Sequence, residues 1–417
     1  MIFFPYRNFV KAQISVFILI GLVLVATISV GIYITGTIKS VENKNVQGLD
    51  SVESYVSACF QGLLESAVEL SLAQGGSINP QNYLSFESRN IGYGIRRLSD
   101  DYTAGGFKVF YKSPPEFPWI DFPNTPGTSN LVDLTKKYKI GEVVLPSNDS
   151  VINDLKNYVS GKSTNCLNFD KFSSEGISVT ATVPSFSIFL NPSDVQLVVD
   201  IIVEASKLGD VKKSDSFTLS VPVRLAGLLQ AAFQIASDDA EIITFSPDGK
   251  ETSVVIGGIT QKFSSSVIRN PVSANRGDDI VEIRDSERPY RGDIVKFRFA
   301  RQNRHPALVK TDLSFFDGKR FENGYKIFVQ NAQITATGKY YVGSGVSTQT
   351  VTTPLNPITL YYHDPDEDVV NFGIVSNTPS TPAIQNTLTL ITSTTKFSVV
   401  ASDGDLYDYQ ERTVTVQ

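Results

Sequence analysis

An uncharged, apolar segment near the N-terminus constrains this chain more than any other feature. Residues 12–38 contain no charged residue. The 22 residues from Gln13 to Ile34 would form a helix about 33 Å long at roughly 1.5 Å per residue, enough to cross the hydrocarbon core of a bilayer. A cleavable secretory signal has a shorter apolar region and then a small-x-small cleavage site, and no convincing site of that kind follows this segment. The sequence therefore predicts a membrane-spanning helix over residues 13–38.

Charges on the two sides of this segment predict its orientation. Arg7 and Lys11 precede the segment, whereas Lys39, Glu42 and Lys44 follow it. The positive-inside rule then places the N-terminus in the cytoplasm and the bulk of the chain outside the cell. We therefore expect a single-pass protein of the cell membrane, with the lipid membrane as a partner.

Composition argues against several functional classes. The 417-residue chain carries 37 Lys and Arg against 43 Asp and Glu, a net charge of −6, which gives no electrostatic footprint for nucleic acid. It has two histidines and two cysteines, and no Walker loop, GxSxG, HExxH, CxxC or GxGxxG motif. We therefore predict no nucleic-acid binding and no enzymatic activity. A hydrolase that uses paired carboxylates stays open, because acidic residues are plentiful.

The start of the apolar segment, KAQIS at residues 11–15, resembles the class III signal of archaeal type IV pilin-like proteins. This resemblance implies cleavage between Ala12 and Gln13, after which Gln13 begins a helix that self-associates in a filament. Many members of that family have an acidic residue five positions into the mature helix, where this chain has Phe17. Two interpretations stay open: a processed pilus subunit and an uncleaved membrane anchor.

Two further features depend on the expected extracellular location. Cys59 and Cys166 are the only cysteines, and an even count outside the cell favours a disulfide; two separate buried thiols are the alternative. Asn148 begins the only Asn-x-Ser/Thr sequence without a blocking proline. Asn148 is therefore either a glycosylation site or the cap of a helix.

The middle of the chain mixes helical and strand-like periodicity. Apolar residues at three- and four-residue steps predict an amphipathic helix over residues 46–73, a second from 148 to about 167 and a third over 225–235. β-Branched residues alternate over residues 195–203 and 217–223, which predicts paired strands. The pattern is typical of an α+β domain in which a sheet carries helices.

Beyond residue 271 short strand-like segments recur at about 10–15-residue spacing, which predicts a β-sandwich. The basic run RQNRHP at residues 301–306, which contains His305, predicts a solvated hinge that leads into this last domain.

Two acidic segments of that domain, HDPDED at 363–368 and ASDG at 401–404, resemble the loops of cadherin-like and immunoglobulin-like modules of prokaryotic surface proteins. The resemblance implies that Ca²⁺ ligands come from Asp364, Asp366, Asp368 and Asp403. The same run is also common in turns, where Asp side chains accept hydrogen bonds from nearby main-chain N–H groups. A calcium site and a metal-free turn therefore both stay open.

Together these features predict a multidomain protein with an N-terminal transmembrane and stalk helix, an α+β middle domain and a C-terminal all-β immunoglobulin-like sandwich. The predicted function is structural or adhesive at an archaeal cell surface. The alternatives are a surface-anchored solute or polysaccharide binder that uses the aromatic stretch 102–122, and an anchored carboxylate-dependent hydrolase. The predicted segments are a leader peptide (1–12), a transmembrane helix (13–38), an amphipathic stalk helix (39–76), an α+β extracellular domain (77–270), a β-rich connector (271–303) and an immunoglobulin/cadherin-like sandwich (304–417).

Overall fold

The structure is a computed structural model that describes residues 49–97, 102–104, 107–109, 141–242, 245–269, 277–304, 307–308, 313–342, 348–351, 356–360, 362–364, 366–376, 385–394, 396–403 and 407–417. The predicted leader, the processing residues Ala12 and Gln13 and the predicted spanning helix 13–38 lie outside these residues. Most of the aromatic stretch 102–122 lies outside them too, as does His305. Among the helices of the described residues, none is both long and apolar enough to cross a membrane.

The described chain is largely β, with several sheets and few helices. The helices are α1 (Leu49–Ala73), α2 (Asn148–Lys162), α3 (Asp170–Ser173) and α4 (Leu225–Glu241), with 3-10 turns at Ser163–Leu167 and Ser314–Phe316. The strands in chain order are β1 (Tyr83–Phe86), β2 (Arg89–Arg96), β3 (Tyr102–Ala104), β4 (Phe107–Val109), β5 (Glu142–Val143), β6 (Ser178–Ala181), β7 (Ser185–Leu190), β8 (Val195–Lys207), β9 (Asp210–Val221), β10 (Glu251–Ile256), β11 (Ile259–Ile268), β12 (Asp279–Tyr290), β13 (Asp293–Arg301), β14 (Ala307–Leu308), β15 (Lys319–Phe321), β16 (Lys326–Gln330), β17 (Gln333–Val342), β18 (Thr348–Val351), β19 (Ile358–Thr359), β20 (Tyr362–His363), β21 (Asn371–Ser376), β22 (Thr387–Thr389), β23 (Lys396–Ser402), β24 (Tyr407–Thr413) and β25 (Thr415–Val416).

A seven-stranded sheet, called here the first sheet, organises the middle of the chain. Its strand order is β1-β2-β13-β12-β11-β10, and β5 pairs with β2. The pairing of β13 with β2 is parallel, and the remaining pairs are antiparallel. Helix α4 packs on β5, β10 and β12 through its apolar face. A Cβ at Gly227 would lie 2.0 Å from Oε1 of Gln261, so glycine is what allows this close approach of helix and sheet.

The first sheet changes the domain limits that the sequence predicted. Residues 271–303 were expected to form a connector, but β12 and β13 are central strands of the first sheet. The apolar residues on one face of these strands pack towards the layer occupied by α4, and Val281, Ile283 and Phe297 on that face are fully buried. A strand that is hydrogen-bonded on both sides belongs to the domain whose sheet it completes.

The C-terminal region contains two sheets around one buried core. The second sheet has the order β22-β16-β17-β15-β25, with β18 and β19 also on β17, and the third sheet is β21-β23-β24. Both sheets supply inward-facing residues to one cluster, as expected for a sandwich. Its fully buried members include Phe316, Phe321, Tyr325, Ile327, Ile334, Ile374, Phe397 and Val399. The region is all-β apart from one 3-10 turn in its described residues.

The chain divides into two units by the density of its internal contacts. The larger unit comprises Val56–Asn168, Thr182–Ile202 and Asp215–Gln417, and it contains all the sheets described above. Among the described residues, the smaller unit comprises residues 49–55, Phe169–Ala181 and Val203–Ser214.

Within the smaller unit, β6 pairs antiparallel with the end of β8. The ring of Tyr55 lies edge-on to Phe172, with centroids 5.5 Å apart, and the ammonium of Lys171 lies 3.5 Å from the centre of the Tyr55 ring. These contacts combine apolar burial with a cation–π interaction. They hold α3 against the start of α1.

Candidate functional site

A buried cluster of arginines and aspartates, called here the Arg–Asp cluster, is the most distinctive arrangement in the larger unit. Its members are Arg269, Arg301, Arg304, Asp239, Asp279 and Asp366. The strand register begins the cluster, since Asp279, the first residue of β12, pairs directly with Arg301, the last residue of β13. Nη2 of Arg301 donates to Oδ2 of Asp279 at 3.0 Å, and Nη1 of Arg269 donates to the same oxygen at 2.7 Å.

The last turn of α4 supplies Asp239, which is 1% exposed. Nη2 of Arg304 donates to Oδ1 of Asp239 at 2.9 Å, and Nη1 of Arg304 donates to the main-chain carbonyl of the same residue. A carboxylate at a helix C-terminus is unfavourable next to the negative end of the helix dipole, and the last carbonyls of a helix lack partners. Arg304 offsets both effects, because its guanidinium neutralises the Asp239 carboxylate and donates to a main-chain carbonyl of the last turn.

The loop after β20 supplies Asp366, which joins the C-terminal region to the cluster. Oδ1 of Asp366 accepts hydrogen bonds from Nε and Nη2 of Arg304 at 3.0 and 2.7 Å, and Oδ2 accepts one from the Arg304 main-chain N–H at 2.6 Å. Nε of Arg301 lies 3.3 Å from Oδ1. Nη1 of Arg269 also donates to the Asp366 carbonyl oxygen at 2.6 Å. A guanidinium matches this forked geometry, which a lysine ammonium does not.

Burial and charge act in opposite directions on the pKa values of this cluster. Burial by itself lowers the pKa of Arg301 and Arg304, but the surrounding aspartates outweigh it and raise both above the ordinary value. Burial likewise acts to raise the pKa of Asp366, but Arg304 and Arg301 outweigh it and hold that pKa below its usual range. These three groups are therefore charged at neutral pH, with each charge compensated by neighbours.

The chain segment that leaves β13 is fixed residue by residue. The N–H of Gln302 donates to the carbonyl of Ile95 at 3.0 Å, and the N–H of Asn303 donates to Oδ1 of Asp278 at 2.8 Å. Nδ2 of Asn303 donates to Oδ2 of Asp403 at 3.1 Å. The expectation of a solvated hinge over residues 301–306 is therefore wrong for its described part, residues 301–304. The arginines that suggested solvation are 2% and 1% exposed because buried carboxylates surround them.

Asp364, one of the predicted calcium ligands, organises its own loop. Its Oδ1 accepts the N–H groups of Asp366 and Asp368 at 2.9 and 3.0 Å, an Asx-type turn. Its Oδ2 is buried and has no hydrogen-bond partner among the described residues. Burial, together with repulsion from Asp366, raises the pKa of Asp364 to about 7.

The four predicted calcium ligands thus have different surroundings. Asp364, Asp366 and Asp368 share one hydrogen-bonded loop, and Asp403 bonds to Asn303 next to Arg304. Both carboxylate oxygens of Asp366 already accept hydrogen bonds from Arg304. Within the described part of the chain, no group of three or more His, Cys, Asp or Glu side chains is arranged to hold a metal ion.

The remaining predicted sites are placed as follows. Cys59 and Cys166 form a disulfide, with Cα atoms 5.4 Å apart, which links α1 to the 3-10 turn after α2. Asn148 is the exposed first residue of α2, but the N-cap is Ser147, whose hydroxyl accepts the N–H of Ser150 at 3.3 Å. The capping role considered for Asn148 is therefore wrong, and its glycosylation stays a prediction.

Sequence reasoning missed most of the Arg–Asp cluster. Asp239 lies in an amphipathic helix, LAGLLQAAFQIASDDAE, where a carboxylate close to the apolar face indicates a buried partner. Arg301 ends β13 and Arg304 follows it three residues later, and in the sequence the basic character of both residues indicates exposure. The members of the cluster are spread over 127 positions, from Asp239 to Asp366, and single contacts join residues up to 97 positions apart, so no local pattern joins them.

Comparison with known proteins adds no assignment to this geometry. No model of a protein family matches the chain, and no curated protein matches its sequence. The function must therefore be argued from the residues themselves. Chemically, the Arg–Asp cluster holds compensated, desolvated charges in fixed positions, an arrangement suited to fixing the orientation of two segments of the fold.

Proposed function

We propose that this chain is a membrane-anchored cell-surface protein with a structural or adhesive role and with its bulk outside the cell. The observation that carries the proposal is the disulfide between Cys59 and Cys166, which follows closely after the uncharged segment 12–38. Disulfides persist in oxidising compartments, and an apolar helix of this length spans a bilayer. In this proposal residues 13–38 cross the membrane once, with the N-terminus inside.

The Arg–Asp cluster supports a structural role. It connects α4 and the first sheet to the loop at Asp366 in the C-terminal region, using hydrogen bonds that are shielded from water. A buried arginine–carboxylate cluster gives a defined orientation, because misplacing either partner leaves a desolvated charge. Such a junction would display the C-terminal sandwich in a fixed direction. We assign this sandwich to the immunoglobulin/cadherin-like class, on the acidic segments at 363–368 and 401–404.

The N-terminal helix has two proposed fates, which one measurement distinguishes. Mass spectrometry of the mature N-terminus would be made on membrane and sheared-filament fractions of cells that make the protein. A chain that begins at Gln13 in filaments supports a pilin-like subunit that self-associates through this helix. An intact terminus found only in membranes supports a single-pass anchor. A chain recovered only as a cytoplasmic protein contradicts the proposal.

The same samples test the proposed location independently of processing. Proteolytic digestion without reductant should yield a peptide in which Cys59 and Cys166 are linked. Recovery of both residues as free thiols from freshly alkylated cells would contradict the placement of this region in an oxidising compartment. Adhesion to a cell-surface or polysaccharide partner stays a prediction, because most of the aromatic stretch 102–122 lies outside the described residues.

We also propose that the acidic loop binds Ca²⁺. The supporting observation is Oδ2 of Asp364, a buried carboxylate oxygen without a hydrogen-bond partner among the described residues. The side chains of Asp364, Asp368 and Asp403 are not arranged to hold a metal ion in this structure, so they would have to move together to provide oxygen ligands, whereas Asp366 would keep its pairing with Arg304. A shift of the melting temperature of the full chain in detergent with millimolar Ca²⁺, absent in Asp364→Asn, is the expected result. An unchanged melting temperature of the unsubstituted chain would contradict it.

A further inference from the structure

The turn between β8 and β9, in the smaller unit, has an unusual residue at its tip. Leu208 is 99% exposed, and its backbone φ is +52°, in the left-handed region. Gly209 follows with φ of +94°. Positive φ at both central residues is typical of a type I′ hairpin turn, which favours Asn-Gly. At this position the apolar side chain of leucine is exposed to water, and its backbone adopts a left-handed conformation that is unfavourable for a residue with a Cβ.

Comparable turns elsewhere in the described residues do not carry such a side chain. Four other two-residue hairpin turns have positive φ at both positions: Glu87-Ser88, Gly257-Gly258, Arg291-Gly292 and Asn331-Ala332. Their residues are polar, charged, glycine or alanine. An unfavourable backbone conformation combined with a fully exposed leucine indicates a role outside the folded chain itself.

The position of the turn relative to the start of α1 suggests what contacts it. Nζ of Lys212 lies 2.6 Å from Asp50 and 2.6 Å from Glu53, both in the first turns of α1. Lys212 is four residues after Leu208, so the tip lies roughly 10–14 Å from this ion pair at ~3.3 Å per residue. The start of α1 and the tip of the hairpin are therefore neighbours within the smaller unit.

The stretch of chain between the apolar segment and α1 is short. Ten residues, 39–48, separate the apolar segment from Leu49. Even fully extended, ten residues reach about 35 Å, and a more compact path is shorter. If residues 13–38 span the membrane, this linker keeps the first turn of α1 within about 35 Å of the lipid surface, a range in which the hairpin tip can reach the lipid.

The side chains around the tip suit a lipid surface. Val211, 60% exposed, and Lys213 alternate with Lys212 along β9, so they point away from the strand face that meets α1. Lys207 precedes the leucine on the other strand and the exposed Asp210 follows Gly209, so apart from the paired Lys212 the turn carries two lysines and one aspartate. Apolar side chains flanked by lysines insert into the interfacial region while the ammonium groups stay near lipid phosphates.

We propose that the β8–β9 turn is a membrane-contact element, in which Leu208 enters the outer leaflet beside the chain's own spanning helix. This inference rests on the membrane anchor proposed above. The contact would fix the smaller unit against the bilayer and thereby set the direction in which this unit extends from the membrane surface. Lys207 and Lys213 would lie at the level of the phosphates.

The test uses the full chain in nanodiscs of mixed phosphatidylcholine and phosphatidylglycerol. A bimane fluorophore is attached to Leu208→Cys, and separately to Val211→Cys, with the native disulfide retained. Ile259→Cys provides the matched control, since Ile259 is also an exposed apolar residue beside a two-residue turn, 54% exposed. Emission is compared between lipids with and without mid-chain bromine, which quenches only fluorophores in contact with lipid.

Emission from Leu208→Cys should fall roughly twofold in brominated lipid while Ile259→Cys is unchanged. Equal emission of Leu208→Cys in both lipids would overturn the inference, as would a blue-shifted but unquenched probe, which would mean that protein covers the turn. Resistance of the chain to alkaline extraction is measured in parallel. A chain that resists extraction but shows no quenching supports the membrane anchor and contradicts the contact of the turn with lipid. A chain that is extracted contradicts both proposals.

Discussion

The Arg–Asp cluster and the ion pairs of Lys212 use the same kinds of charge in opposite environments. Arg304 and its partners Asp239 and Asp366 are almost completely buried, whereas Lys212 and Asp50 have side chains 38% and 66% exposed. In both places the carboxylates raise the pKa of the cationic residue. The energetic consequences differ, because water screens the exposed pairs and is excluded from the buried ones.

This comparison separates charge pairing from its structural effect. In a buried cluster the attraction mainly offsets desolvation, so the net stabilisation by the intact cluster is small, but the loss of one partner is severe. At an exposed pair, neither the gain nor the loss is large. We therefore expect the buried cluster to fix orientation within the larger unit, whereas the Lys212 pairs only favour one placement of the hairpin.

The largest effect is expected from Arg304→Met. The substitution keeps an unbranched apolar side chain but removes the guanidinium, which leaves Asp239 and Asp366 buried without their main partner. We expect a loss of about 3–5 kcal/mol in the free energy of unfolding, as for other broken buried pairs. Urea denaturation measures this loss in the free energy of unfolding, and hydrogen exchange in α4 and β13 measures it locally. A loss below about 1 kcal/mol would place the cluster in the same class as exposed pairs.

A smaller effect is expected from Asp364→Asn, and its sign depends on pH. The pKa of Asp364 is raised to about 7, so the folded chain holds a proton that the unfolded chain releases at lower pH. The contribution of protonated Asp364 to the free energy of unfolding is fully present below its unfolded pKa of about 4. This contribution is lost as the pH rises through 7. Above that pH, the substitution should stabilise the chain by about 1–2 kcal/mol in calcium-free buffer.

Melting temperatures of both chains across this pH range provide the measurement. Asp366 is the internal contrast, because its pKa is lowered and its stabilisation is lost only as the pH falls through that lowered value. A parallel pH dependence of the Asn variant and the unsubstituted chain between pH of about 4 and 7 would contradict the assignment to Asp364.

Leu208→Asn should stabilise the smaller unit by about 0.5–1 kcal/mol in detergent, because asparagine tolerates the left-handed conformation and Asn-Gly is the favoured type I′ pair. The change in melting temperature measures the effect. Leu208→Val supplies the control, since a β-branched residue is worse in this conformation and should lower the melting temperature. If both substitutions shift it in the same direction, the strain at this position is not backbone strain.

Lys212→Met should have the smallest effect, at most about 0.5 kcal/mol, because its carboxylate partners stay hydrated. The effect should shrink further when the salt concentration is raised towards 1 M. The melting temperature at low and high salt provides the measurement. A salt-independent loss as large as that of Arg304→Met would remove the distinction between the two clusters.

Local periodicity predicted individual elements well. The apolar spacing that indicated a helix over residues 46–73 corresponds to α1, and LAGLLQAAFQI begins α4. The β-branched alternation at 195–203 lies in β8, and the acidic loop at 363–368 follows a strand. Elements of this kind are encoded by neighbours in sequence, because a helix or strand face repeats within a few residues.

Domain limits and the cluster were not predictable in the same way. Strands β12 and β13 look alike whether they join the first sheet or a separate connector, since strand periodicity does not specify the pairing partner. The basic residues Arg301 and Arg304 look solvated in sequence, because only the folded chain brings Asp239 and Asp366 to them.

The sequence by itself determined the apolar segment at 13–38, the pair of cysteines and the acidic loop, since composition and short-range spacing encode each of them. Only the tertiary structure decided that Asp366 pairs with arginines while Asp364, two positions away, has a raised pKa. The physical reason is that the state of a buried charge depends on the partners that folding places around it, and these come from distant parts of the chain.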